Sequence, residues 1–206
     1  LADLIIENEA ALANTMRVAR AMDNQNNEHE RLLARLATPV GKYWICKRTP
    51  NHAYEAMECI GGSGVMEDCI MPRLFRESPV NAIWEGSGNV QCLDTLRALQ
   101  KEPETLDAFF KEAAEAKGTD SRFDQYLAQL QHDFADISDF QYRARNLVDR
   151  MALTMQGSLL LRFGDKHVAD AFCASRLQSS GGMNYGNLPS GTNPAAIIKR
   201  GTPVVG

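Results

Sequence analysis

The chain is poor in the residues that build metal centres and disulfide frameworks. It has five cysteines among 206 residues, an odd number, and no Cys-x-x-Cys pair. Several fall on apolar helical positions. Cys46, Cys59, Cys69, Cys92 and Cys173 therefore read as reduced thiols of a cytoplasmic protein rather than cross-links. His29, His52, His132 and His167 share no ligand spacing with one another or with the cysteines, which argues against a metal site. No apolar stretch is long enough to cross a bilayer, and no basic segment followed by an apolar run marks a signal peptide. There is no Met at the start, no strand alternation of useful length, no internal repeat and no low-complexity domain. What is present is a helix-patterned chain, 44% hydrophobic, with a formal net charge of −4. A chain of this length can bury roughly 70% of its unfolded surface, and length alone allows one or two domains.

The pattern centres on Tyr54 to Leu99, which holds two glycine-rich turns. The first, Gly61-Gly62-Ser63-Gly64, closes a helical run. The second, Glu85-Gly86-Ser87-Gly88, opens one. After it, Val90, Leu93, Leu96 and Ala98 to Leu99 form an apolar stripe at helical spacing. Ser87 stands at the N-cap position, and the glycines clear the approach to the first turn. A helix start offers unpaired N–H groups and a partial positive charge to an anion. Glu85 follows Trp84, and an apolar ring beside a carboxylate disfavours its charged form. Physics alone allows two readings: a tuned general base at an anion-binding helix start, or a capped helix with a solvated Glu. It favours the second, because short Gly/Ser motifs are common.

These residues resemble the C-terminal helical domain of the acyl-CoA dehydrogenase family. Members end a helix in a Gly-Gly-x-Gly turn and pass through an Arg-x-x-Arg segment. They then reach an Ile-x-Glu-Gly-Thr-type turn and a helix carrying Gln. The counterparts are Gly61, Gly62 and Gly64, then Arg73 and Arg76, then Ile83 to Gly86, then Gln91. The wording PRLFRESPVNAIWEGSGN is similar to the AidB-like branch, the adaptive alkylation-response flavoproteins. Two positions depart from the pattern. Glu58 stands where the family has Gln ahead of the Gly-Gly turn, and Ser87 replaces Thr.

The resemblance implies an all-α fold, with residues 1–101 as the family's C-terminal helical bundle and 102–206 as an additional helical domain. It implies the C-terminal piece of a longer protein, without the family's N-terminal helical and middle β domains. In the intact protein Glu85 would remove the α-proton of an acyl-CoA while the β-hydride goes to FAD. Ile83, Trp84, Gly86, Ser87, Gly88, Asn89 and Gln91 would lie along that cofactor. Gly61 and Gly62 would reach the flavin of a neighbouring subunit in a dimer or tetramer. Three functions compete: a flavin-dependent dehydrogenase half-site, a DNA-associated protective flavoprotein, and an oligomerisation module without activity of its own.

Outside this centre the chain reads as successive helices. Leu1 to Met22 carries Leu4, Ile5, Leu12, Met16 and Ala19 on one face. Asp23 to Asn27 breaks it. His29 to Ala37 resumes, and Thr38-Pro39 predicts a fresh helix start running to Ile60, with a kink or brief restart at Pro50. Lys42, Lys47 and Arg48 read as a solvated basic face. Met71 to Glu77 predicts a short helix whose Arg73 and Arg76 pair with Glu67, Asp68 or Glu77, support the Glu85 loop, or do both. Helices are expected over Pro103 to Lys117, from Thr119 through Phe134, over Phe140 to Phe163 and over Asp165 to Leu177. A loose tail should follow from Ser179, with one more turn at Pro194 to Arg200 capped by Asn193. Residues 101–139 carry net −6, and 140–206 carry net +5. Charge alone makes the basic excess a solvated face. The AidB-like resemblance raises sequence-independent duplex DNA binding through Arg143, Arg145, Arg150, Arg162, Lys166 and Arg176.

Overall fold

The computed structural model describes residues 1–136, 139–178, Tyr185, Leu188 and 190–203. Among the described residues the fold is all-α, as expected, with no strand. The helices are α1 (Ala2–Asp23), α2 (Glu28–Ile60), α3 (Met71–Glu77), α4 (Gly88–Lys101), α5 (Glu104–Ala114), α6 (Ser121–Ala135), α7 (Phe140–Phe163), α8 (Lys166–Phe172) and α9 (Pro194–Gly201). Short 3-10 turns occupy Gly61–Val65 and Ser78–Ala82, and a π-helical turn, Cys173–Gln178, continues α8. No helix among the described residues is long and apolar enough to cross a membrane.

The axis of the molecule is α2. The Asn27 side chain caps it by accepting from the Glu30 N–H. It then runs for 33 residues through both Pro39 and Pro50. The fresh start expected at Thr38-Pro39 does not occur. An interior proline removes a ladder hydrogen bond and costs about 3 kcal/mol in an isolated helix. Here α2 packs on α1, α4, α5 and α7, and burial along its length outweighs the two interruptions. The residue before each proline turns its hydroxyl back onto the helix: Thr38 donates to the Ala34 carbonyl and Thr49 to that of Ile45, both at 2.7 Å. Gly61 ends the helix as expected, at φ 78° and ψ −155°, a region essentially reserved for glycine.

The inward face of α1 differs from the expected stripe. Leu4 is buried, but Leu12 and Met16 are 57% and 61% exposed. The buried positions are Ile6, Ala10, Asn14 and Arg17, with Asp3 and Glu7. Apolar periodicity misses this face because three of its members, Asp3, Glu7 and Arg17, are charges paired in place, which is what permits their burial. Arg17 donates to Glu30 at 2.6 Å and to Glu112 of α5 at 2.8 Å, and Arg162 of α7 donates to Glu112 at 2.7 Å. Glu7 accepts from Arg48 at 3.2 Å and pairs with Arg176, which also reaches Asp3.

The composition shift near Lys101 falls between α4 and α5, and the hydrophobic core runs across it. One cluster joins Leu36 and Val40 of α2, Leu96 of α4, Phe109 of α5, Leu130 of α6 and Met151 of α7. Helix α7 has the expected bounds and buries Leu147, Met151, Met155 and Leu159. Helix α6 buries Phe123, Leu127, Leu130 and Phe134, also as expected, although its cap is Asp120 rather than Thr119. Phe109, Phe110, Phe134 and Phe140 form a chain of edge-to-face rings, with centroids 5.7 to 5.9 Å apart. Asn193 caps α9 through the Ala196 N–H. The stretch from Ser179, expected to be loose, lies largely outside the described residues.

Candidate functional site

The Glu85 turn is built by a glycine, a left-handed glutamate and donors from two helices. Glu85 has φ 51°, which non-glycine residues seldom adopt and which costs of order 1 kcal/mol or more. Gly86 follows at φ 102°. A Cβ on Gly86 would stand 2.2 Å from Gln91 Nε2, so only glycine lets Gln91 fold back over the turn. From there Gln91 Nε2 donates to the Glu85 carbonyl at 3.1 Å and the Gly86 carbonyl at 3.4 Å. From the other side Lys42 Nζ donates to the carbonyls of Trp84 and Gly86, both at 2.7 Å. Three consecutive carbonyls, 84 to 86, thus each receive a donor from outside the turn.

The side chains of the turn are left outward. Glu85 is exposed, with Ile83 67% and Trp84 59% exposed beside it. The expected apolar wall from Trp84 therefore does not enclose the carboxylate within this chain. Ser87 is the N-cap residue of α4, as expected, but its hydroxyl makes no cap hydrogen bond. The stripe expected on α4 splits: Leu96 and Ala98 are buried, while Val90 and Leu93 are exposed. Gly88 brings α4 against α2. A Cβ there would lie 2.7 Å from Lys47 Cε and 3.4 Å from the Tyr43 ring. Asn89 accepts from Arg145 Nε of α7 at 2.7 Å, so the first turn of α4 is held by both α2 and α7. Behind it Tyr43 bonds Asp149. Burial raises the Asp149 pKa, opposed by Tyr43 and Arg145.

The Gly61-Gly62 turn is exposed, and a Cβ added at either position would meet nothing within 4 Å. Glu58 is exposed just before it. Between the two turns, α3 carries Arg73, bonded to Glu77 at 3.1 Å, and Arg76, bonded to Glu67 at 2.6 Å. These are partners the sequence pointed to.

FAD can be tested against these residues. A flat ring needs exposed apolar surface, which Ile83 and Trp84 present. An anionic or hydrogen-bonding edge needs donors, which the Ser87 hydroxyl and the first N–H groups of α4 present. The open backbone at Gly61 and Gly62 allows close approach. The residues fit one flank of such a group.

Of the residues expected on a DNA-contacting face, the five arginines are engaged within the chain. Arg150 pairs with Asp133 and lies over the Tyr126 ring. Arg162 is drawn to Glu112, and Arg176 to Asp3 and Glu7. Arg143 donates to the carbonyls of Asp133 and Asp136, and Arg145 to Asn89. Lys166 is exposed at the start of α8. The acidic segment before residue 140 supplies part of this pairing, so the opposite charges of the two segments are spent on each other. In the same way Lys42 and Arg48, expected as a solvated face, are engaged. No local signal marks Lys42, because its partners lie about forty positions away. The five cysteines are free thiols, of which Cys92 and Cys173 are buried, Cys46 and Cys69 partly buried and Cys59 exposed.

The chain is similar to known proteins in sequence and in fold. Residues 1–100 match the family model for the acyl-CoA dehydrogenase C-terminal domain. AidB of Escherichia coli (strain K12) is 38% identical over 89% of this chain and 34% of its own length. Acyl-CoA dehydrogenase family member 11 of Caenorhabditis elegans is 32% identical over 75% of this chain and 24% of its own. The chain thus spans about a third or less of these relatives. The crystal structure of Caenorhabditis elegans ACDH-11 in complex with C11-CoA superposes with a TM-score of 0.74 at 27% identity, covering 82% of this chain and 34% of that one. The apo form of Bd2924, at 24% identity and a TM-score of 0.65, shares the fold. With the Gly-Gly and Glu-Gly turns standing in order on the matched helices, this chain belongs to the acyl-CoA dehydrogenase family, in its AidB-like branch.

Proposed function

We propose that this chain supplies the base-bearing flank of an FAD-dependent, acyl-CoA-oxidising site, with Glu85 as the base. The observation that carries this reading is the turn itself. A non-glycine residue is held in left-handed backbone by three tied carbonyls while its carboxylate stays exposed. Strain of this kind concentrates where a side chain must be aimed. Glu85 removes the α-proton of an acyl thioester. Ile83 and Trp84 offer an apolar face to the ring of the cofactor, and Ser87 with the start of α4 offers its donors. Bound FAD would accept the β-hydride. The Gly61-Gly62 turn reaches the cofactor of a neighbouring copy. A solved relative bound to C11-CoA supports an acyl-CoA as the substrate class. The arginines behind the DNA reading are engaged internally, which weighs against it.

The test is Glu85→Gln in the intact, flavin-loaded protein. The amide keeps the shape but accepts no proton. Exchange of the α-proton of an acyl-CoA, followed by deuterium incorporation, should fall by about 10²–10⁴-fold with flavin retained. Undiminished exchange would assign the proton to another base.

A further inference from the structure

We propose that Lys42 is a positioning residue for Glu85, a role that rests on Glu85 being the base. Lys42 lies on α2, the most extensively packed helix of the molecule. Its ammonium carries three protons. Two of them go to the carbonyls of Trp84 and Gly86, one on each side of Glu85, at 2.7 Å. These are charge-assisted hydrogen bonds to backbone, stronger than the neutral ones Gln91 makes to the carbonyls of 85 and 86. The geometry matters more than the number. The carbonyl of residue 84 fixes the peptide plane that leads into Glu85, and the carbonyl of residue 86 fixes the plane that follows Gly86. Between those planes lie φ and ψ of Glu85 and Gly86. Lys42 holds the two outer planes and Gln91 the Glu85 carbonyl between them, and together they restrain the turn at the observed Glu85 φ of 51°. Because Lys42 binds carbonyls, it holds the base without serving as its ion-pair partner. A shift of about 1 Å in a reacting group can cost about 10²-fold.

The experiment compares Lys42→Met, Lys42→Arg and Glu85→Gln in the intact, flavin-loaded protein. Lys42→Met keeps the aliphatic stem and removes the donors. It should lower kcat for α-proton exchange by about 10- to 100-fold while KM for the acyl-CoA stays within about twofold. Retained flavin and melting temperature should match the parent. Lys42→Arg keeps donors in a different fork and should recover part of the loss. If Lys42→Met is fully active while Glu85→Gln is inactive, the role of Lys42 is overturned and the base remains. If Glu85→Gln is active, the base reading falls and the positioning role with it. Should Lys42→Met release flavin, amide hydrogen exchange over residues 83–88 decides, compared between Lys42→Met and the parent with both stripped of flavin. Faster exchange confined to that segment supports the clamp, and an unchanged rate overturns it.

Discussion

Two glutamates of this molecule are treated in opposite ways. Glu112, 5% exposed, accepts from Arg17 at 2.8 Å and from Arg162 at 2.7 Å. His29 Nε2 stands 3.4 Å away. Burial by itself would raise its pKa, but the two guanidiniums outweigh burial and hold the carboxyl at about 2. Glu85 has the reverse arrangement. Its backbone is tied by Lys42 and Gln91, while its carboxylate is exposed and makes no hydrogen bond or ion pair among the described residues. One region satisfies the charge and leaves the carboxylate no further work. The other fixes the frame and leaves the charge available. The burial of Glu112 and the exposure of Glu85 thus rest on different contacts, and substitutions should separate them.

The sharpest break of the interior is Arg17→Met. It leaves Glu30 and Glu112 each short of a buried partner, and removing one member of a buried ion network costs about 3–5 kcal/mol. Urea unfolding should show that loss as a lower midpoint, and a change below about 1 kcal/mol would mean the network does not hold α1 to α5.

The acid limb of stability tests the same carboxylate. The Glu112 pKa is lowered in the folded chain from 4.5 to about 2. Its contribution is therefore complete above about pH 4.5 and is lost as the pH falls towards 2, amounting to about 3 kcal/mol across that window. Urea midpoints measured between pH 5 and 2 should fall less steeply in Glu112→Gln than in the parent. Parallel curves would assign the acid sensitivity to other carboxylates.

The exposed region should respond through its backbone instead. Gly61 has φ 78°, and Gly62 has no left-handed strain, yet both face open space. Gly61→Ala should cost about 1–3 kcal/mol and Gly62→Ala close to nothing. If Gly62→Ala leaves the melting temperature unchanged but lowers flavin retention in the intact protein, that turn contacts the cofactor. If it lowers the melting temperature as much as Gly61→Ala, packing rather than backbone governs this loop.

Much of the fold is legible in the residues themselves. The bounds of α3 and α7, the apolar face of α6, the Asn193 cap and the ion pairs of Arg73 and Arg76 follow from local rules acting over a few residues. The family is legible because its turns are short, ordered and chemically specific. Where local rules mislead, one cause is shared. Thr38-Pro39 carries a local start signal, but α2 is buried on several sides and continues through it. Leu12 and Met16 resemble core by hydropathy, yet Arg17 and Glu7 take the inward face because each has a charged partner on another helix. The arginines of α7 resemble a free surface for the same reason.

The sequence by itself determined where helices form, where glycine must end or begin one, and that a glutamate with a hydroxyl and bare backbone opens α4. Those are matters of periodicity, capping and backbone freedom, and they are settled within a turn or two of chain. Only the tertiary structure decided which charges cancel, that Glu85 is strained and Glu112 satisfied, and that Lys42 reaches the carbonyls on both sides of Glu85. Such contacts join residues on different helices or turns, from 13 to 173 positions apart, so they exist only once the helices have packed.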